Sequence, residues 1–195
     1  MSYHLYQTKG IILGSTNIGE SNRYYHIFTK DLGLIGAFTQ GVRELKSKLK
    51  YHLQDFNYIS LDLIRGGGSW RVTSGKEESG FENGLKDKSK LKIIASITTF
   101  LKRFLHGEER NEPLFDEILS NFSFLSKEEL DAKMEKDFEI LLVAKILDKL
   151  GYWGGNSETK KIIELPTSEE TLTMFPQHRS EFLKEVNRAI KESHL

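Results

Sequence analysis

The stretch GIILGSTNIGESNRYYHIFTKDLGLIGAFTQGVRELKSKLKYHLQDF, residues 10–56, decides the fold. Gly10-Ile11-Ile12-Leu13-Gly14 is an apolar run that suits a buried strand, and Arg23 to Thr29 alternates aromatic and β-branched residues as a second strand does. Lys30-Asp31-Leu32-Gly33 is a hairpin-turn signal, and Leu34 to Thr39 follows as a third strand. From Glu44 to His52 the pattern changes. Leu45 and Leu49 sit four apart among lysines, which predicts a short helix with both leucines facing the core.

Working outward, Phe56 to Ile64 alternates Tyr58, Ser60 and Asp62 with Ile59, Leu61 and Leu63, a fourth strand. Gly66-Gly67-Gly68 makes a turn, and Ser69 to Ser74 a fifth strand. Five strands with a helix between the third and fourth is the order of an OB-fold barrel; an SH3-like barrel, the alternative, would lack that helix. Beyond Gly84 the period becomes helical. Leu91, Ile94, Ile97, Leu101 and Phe104 mark a helix over Ser89 to Leu105, and Glu112-Pro113 opens a second. Ser126, with Glu129 three residues on, reads as a capping box for a long helix ending at Gly151, one face of which is Phe138, Leu141, Leu142, Lys145 and Ile146. Asn156 to Thr171 reads as a polar loop with a short strand at Ile162-Ile163, and Phe182, Val186, Ala189 and Ile190 mark a last helix. The expected class is α+β: an OB-fold-like five-stranded β-barrel over residues 1–80, then an all-α helical domain over 81–195, joined in the Gly-, Lys- and acid-rich segment from Glu77 to Lys88.

Composition narrows the chemistry. The chain has 195 residues, 38% hydrophobic and 29% charged, as an ordinary globular protein does. No apolar run approaches the roughly 18 residues that span a bilayer, and Met1-Ser2-Tyr3-His4 lacks a signal peptide's basic and apolar regions; a cytoplasmic protein is expected. There are no cysteines, which removes disulfides, thiol catalysis and Cys-ligated zinc. The six histidines (His4, His26, His52, His106, His178, His194) form no HExxH-like pair, so neither metal nor cofactor is expected. Net charge is zero, but residues 1–80 carry ten Lys or Arg against seven acids, a +3 front balanced by an acidic back.

Within that front, Arg43, Lys46, Lys48 and Lys50 place four cations in eight positions opposed only by Glu44. Lys46 and Lys50 fall on one face of the expected helix, a pattern that meets backbone phosphate without reading sequence. An ordinary solvated helix face has the same composition. Arg23, which opens a strand, and Arg65 and Arg71, which flank the glycine turn, are further candidates. Of the aromatics Tyr24, Tyr25, Phe28, Phe38 and Trp70, any can stack a base or fill the core, and only one of Tyr24 and Tyr25 can face a groove. The three glycines at 66–68 lack the Lys, Ser/Thr and helix of a phosphate loop. Asp55, Asp62, Glu77 and Glu78 are the only carboxylates resembling a metal-nuclease set, and carboxylates at strand ends are common without such a role.

The order and spacing of five features resemble the N-terminal domain of the RecO family. They are the apolar strand from Gly10; Gly19-Glu20-Ser21; Phe28-Thr29-Lys30 leading to Gly33; Gly41-Val42-Arg43 before Lys46-Ser47-Lys48-Leu49; and Leu53-Gln54 before Phe56. The helical remainder fits in architecture, with a local match at Leu150-Gly151-Tyr152. Val42 stands where the family usually has Ala, and Asp55 where it has Pro. Many members carry a four-cysteine zinc site after the Leu-Gly-Tyr element; here Trp153-Gly154-Gly155-Asn156 follows, so that site is missing, as in some members.

The resemblance implies a DNA repair and recombination mediator without enzymatic activity. Such a protein binds single- and double-stranded DNA, anneals strands, and with RecR helps load the RecA recombinase onto DNA covered by single-strand-binding protein. With the resemblance, Arg43, Lys46, Lys48 and Lys50 are the expected DNA contacts, with Arg23, Arg65 and Arg71 as secondary candidates. It also implies a pocket for the acidic, apolar C-terminal tail of single-strand-binding protein in the helical domain, for which Lys102, Arg103, Lys145 and Lys149 are the candidate cations. Rival readings are an OB-fold RNA-binding protein, a metal-dependent nuclease and a protein-interaction module.

Overall fold

The structure, a computed structural model, describes residues 4–193; His194 lies outside the described residues. The chain forms two compact units, residues 1–82 with 98–115, and residues 83–97 with 116–195.

The first unit is built on a closed barrel. Its strands are β1 (Leu5–Ile18), β2 (Asn22–Thr29), β3 (Gly33–Thr39), β4 (Tyr58–Gly66) and β5 (Ser69–Glu77), with the one-turn helix α1 (Leu49–His52) between β3 and β4. Around the barrel the order is β1-β2-β3-β5-β4 and back to β1. All pairings are antiparallel except β3 with β5, which is parallel at Ala37↔Trp70 and Phe38↔Arg71. This is the OB-like arrangement expected from the helix between the third and fourth strands. Alternation fills the interior with Ile12, Tyr25, Ile27, Ile35, Ala37, Ile59, Leu61, Leu63, Trp70 and Val72, and Val42 and Leu53 plug it from the connecting segment.

β1 is longer than its apolar run, and the run itself is buried on both faces. A register shift between Ile12 and Gly14 bulges the strand. Ile12 then belongs to the barrel core, and Ile11 and Leu13 are buried too. The second layer comes from residues 98–115 of the same unit. Phe115 packs on Phe28 at 5.4 Å and on Tyr58 at 6.3 Å between ring centroids. Polar contacts fix the same segment: Trp70 Nε1 donates to Glu108 at 2.9 Å, Arg65 pairs with Glu108 at 3.1 Å, and Lys30 pairs with Glu112 at 3.1 Å.

Between β3 and β4 the expected helix over Glu44 to His52 is reduced to α1. Residues 41–48 form successive turns instead, and Leu45 is 93% exposed rather than facing the core. Leu49 alone packs against the barrel cluster. A segment of nine residues with two leucines offers too little apolar face to repay a helical nucleus.

The second unit holds most of the helices. α2 (Lys88–Phe104) starts in it and ends in the first unit, whereas α3 (Glu112–Lys127) starts in the first and ends in it. α4 (Ala132–Lys149), α5 (Ser157–Glu164), α6 (Glu169–Met174) and α7 (Arg179–Glu192) complete it, with a 3-10 turn at Phe175–Gln177. Two expectations are corrected here. Ser126 is not a cap: α3 runs through it, and its hydroxyl accepts from the Gly84 N–H at 2.9 Å. The cap of α4 is Asp131, whose carboxylate accepts from Lys133 N and Met134 N at 2.8 Å each. The segment from Asn156 to Thr171 is not a loop with a strand but helices α5 and α6, capped by Asn156 and Ser168. At the end of α4 Gly151 adopts φ 79°, and Tyr152 N donates to Leu147 O while Gly151 N donates to Asp148 O, a Schellman stop.

Candidate nucleic-acid interface

Two glycine-containing turns that are far apart in the sequence meet at one end of the barrel. Gly19 and Gly41 both have positive φ, 60° and 64°. The Asn22 side-chain oxygen accepts from Gly41 N at 2.9 Å, Arg43 N donates to Ser21 O at 2.9 Å, and Arg43 Nη1 donates to Gly19 O at 3.0 Å. The turn at Gly19-Glu20-Ser21 therefore braces the turn at Gly41-Val42-Arg43. Val42 drops into the core and Arg43 stays on the surface.

This bracing forms a cleft of about 310 Å³ lined by Arg23, Tyr25, Val42, Arg43, Lys50, Tyr51 and Gln54. Three of the seven candidate DNA contacts thus share one concavity, with no carboxylate among its lining residues. Arg23 Nε donates to Asn17 at 2.9 Å, and Lys50 Nζ reaches Leu45 O at 3.3 Å and lies 4.9 Å from the Tyr51 ring centre. Tyr51 is 66% exposed. Tyr25 is fully buried, and its hydroxyl makes no hydrogen bond of good geometry. Burial raises the Tyr25 pKa above its ordinary value, and the Arg23 guanidinium beside it works in the opposite sense.

Lys46 and Lys48 stand exposed on the turns before α1, and their side chains make no hydrogen bond or ion pair among the described residues. They do not share a helical face with Lys50, because Lys46 precedes α1. Arg65 and Arg71 lie apart from the cleft set. Arg65 is engaged by Glu108 and lies 5.1 Å from the Trp70 ring centre. Arg71 is exposed on the outer face of β5, in register with Phe38 and, through it, Tyr24.

That row settles the aromatics. Tyr25 and Trp70 point into the barrel, and Phe28 is buried beneath Phe115. Tyr24 and Phe38 are half-buried on the outer face, where the Tyr24 ring covers Gly36: a Cβ there would sit 1.7 Å from the Tyr24 hydroxyl. Sequence reasoning missed Tyr51, Gln54 and Asn22; the available signal was an aromatic set inside a lysine run.

Three of the four acidic candidates have separate partners. Glu78 accepts from Ser60 at 2.6 Å and Lys9 at 3.0 Å, which holds its carboxyl below the usual range. Asp55 accepts from Ser15 and Asp62 from Gln7. No group of three or more potential metal ligands occurs among the described residues. No helix among them is long and apolar enough to cross a membrane.

Of the cations named for a partner tail, Lys102 and Arg103 belong to the first unit, and Lys145 and Lys149 to the second. Lys149 is exposed. Lys145 corrects the expectation, being 3% exposed and turned inward onto Glu117 and two backbone carbonyls.

A closed five-stranded barrel carrying a cationic cleft, continued by a helical unit, defines the class as an OB-like barrel protein with a helical extension. The comparisons with known proteins agree with it. Residues 1–81 match the family model described as Recombination protein O N terminal. A protein of Dehalococcoides mccartyi named DNA repair protein RecO is 33% identical over 141 residues, which cover 72% of this chain and 55% of that one. A protein of Clostridium perfringens with the same name is 27% identical over 150 residues, covering 77% and 58%. Residues 1–81 thus carry the N-terminal domain of the RecO family, and the similarity to RecO proteins extends over 72% of the chain. The chain spans about half the length of the curated relatives it matches.

Proposed function

We propose that this protein acts in DNA repair as a recombination mediator, binding single- and double-stranded DNA through the cleft end of the barrel and promoting strand annealing without a catalytic step. The observation that supports this reading most is the gathering of Arg23, Arg43 and Lys50 around one cleft, with Lys46 and Lys48 free on the adjoining turns. Annealing two strands requires offsetting the repulsion between phosphate backbones. Unpaired lysines on a turn do that while holding neither strand too firmly. With RecR as partner, the protein would help load RecA on DNA coated by single-strand-binding protein, whose acidic tail would dock on the helical unit near Lys149. The protein would act in the cytoplasm, at the nucleoid.

An annealing assay in the presence of a metal chelator tests this. Annealing of complementary oligonucleotides in chelator, with affinity that falls steeply from low to moderate salt and varies little with sequence, is the expected result. Mg²⁺-dependent cleavage would replace the mediator by a nuclease. Binding confined to RNA, or to neither nucleic acid, would replace it by the RNA-binding or interaction-module reading.

A further inference from the structure

Contact with a phosphodiester backbone needs only exposed, mobile cations, and Lys46 and Lys48 supply them. The cleft beside them is built differently. Arg23 and Arg43 are held by Asn17 and by the Gly19 carbonyl, so their guanidinium groups are fixed in place with further N–H donors to spare. In the cleft wall Tyr25 is fully buried, and its hydroxyl, beside the Arg23 guanidinium, makes no hydrogen bond of good geometry. A phenylalanine would pack the same barrel position without burying an unpaired donor, which is costly to leave unmade. Tyr51 stands exposed at the same cleft, with Lys50 at its ring.

We propose that this cleft is a strand-end subsite that takes the terminal phosphate monoester of a nucleic-acid strand, an inference that rests on the nucleic-acid-binding reading above. An internal phosphodiester carries a single charge, and its chain must leave on two sides. A terminal monoester carries about −1.5 to −2 at neutral pH, presents three acceptor oxygens and leaves on one side. Three cations, a buried hydroxyl donor and no lining carboxylate complement the second group. Arg23 and Arg43 contact the phosphoryl oxygens by charge-assisted hydrogen bonds, and the Tyr25 hydroxyl donates to one of them. Lys50 adds charge, and Tyr51 stacks on the terminal base.

The test uses the full chain and short single-stranded oligonucleotides of one sequence: unphosphorylated, 5′-phosphorylated, 3′-phosphorylated, and with the terminal phosphate capped as a methyl diester. Affinities are read by fluorescence anisotropy at fixed salt. One phosphorylated end is expected to bind about tenfold tighter than the unphosphorylated strand, the increment of a hydrogen bond to a charged group, and the methyl diester is expected to lose most of that gain. Tyr25→Phe and, separately, Arg43→Gln should each bring the ratio towards one, with thermal melts reporting whether either variant has lost its fold. Equal affinity for all four oligonucleotides overturns the strand-end subsite and leaves the DNA-binding reading standing. A preference that survives in both folded variants also overturns it, because the end is then recognised elsewhere. Failure to bind any oligonucleotide overturns the proposed function itself.

Discussion

The ammonium of Lys145 is held by the carbonyls of Ile163 and Leu165 at 2.7 Å each and by Glu117 at 3.2 Å. Lys48, with the same charge, touches no acceptor among the described residues and projects into solvent. Removing the first cation strands a carboxylate and two carbonyls in a dry site, so Lys145→Ala is expected to destabilise the protein by about 3 kcal/mol, the low end for breaking a buried pair. Lys48→Ala is expected to stay within about 0.5 kcal/mol of wild type. Urea unfolding of both variants checks this; equal midpoints would mean that the Lys145 contacts contribute nothing. The burial of Lys145 was legible, because it shares the helix face of Phe138, Leu141, Leu142 and Ile146. Its charge suggested a rim, but periodicity, which reports burial, is the stronger signal. Lys90 is similarly sunk, 5% exposed on the Glu128 carbonyl, and it too shares a helix face with buried residues, Ile94, Ile97 and Leu101.

At the scale of elements, the strands were readable and the short helices were not. β3 alternates strictly, and β2, β4 and β5 alternate over part of their length, because their side chains point alternately into the barrel and away from it. α5 buries only Thr159, Ile162 and Ile163, a three-residue stripe that passes for a strand unless its cap is noticed. That cap is Asn156, whose side chain accepts from Glu158 N and Thr159 N at 3.0 and 2.9 Å. Asn156→Ala should therefore cost about 1 kcal/mol in a thermal or urea melt, and an unchanged melt would show that α5 is held by tertiary packing alone. Asp87 caps α2 through Ser89 N and Lys90 N, and these bonds pull its pKa below the ordinary 3.8. A depressed carboxyl contributes stability that is complete above about that ordinary value and is lost as pH falls through the lower folded one. Asp87→Asn should thus flatten the acid limb of the stability curve below pH ~4 and leave its slope near neutrality unchanged. The basic turns form a further element. Lys46, Lys48 and Lys50 changed together to Ala should reduce the salt slope of DNA binding by about two to three units at most, with the fold intact. A slope that does not move would place phosphate contact elsewhere. Their clustering was legible, but the cleft was not, because it depends on the Gly19 turn bracing the Gly41 turn across some twenty residues of intervening chain.

At the scale of the molecule, the family match ends at residue 81 while the compact unit that contains the barrel also takes in residues 98–115. The sequence offers a boundary between Glu77 and Lys88 because composition changes there, but composition cannot say which later residues fold back. The clue was the run Gly10 to Leu13, apolar at every position where a strand with one wet face would alternate. Such a strand needs a second layer, and residues 98–115 provide it through Leu101, Phe104, Leu114 and Phe115, all buried. A protein cut after Glu82 would keep every barrel strand yet expose Phe28 and Tyr58 to water where Phe115 covers them. It would also leave Trp70 Nε1 without Glu108. Exposed apolar area of this kind drives self-association. The 1–82 fragment is therefore expected to aggregate or to lose cooperative unfolding, whereas a fragment ending after Phe115 should recover part of the barrel's circular-dichroism signal and more of its solubility. Size-exclusion chromatography and thermal melts of the two fragments decide the matter. If residues 1–82 alone run as a monomer and melt as sharply as the full chain, the second layer is dispensable, and the apolar run in β1 has some other cause.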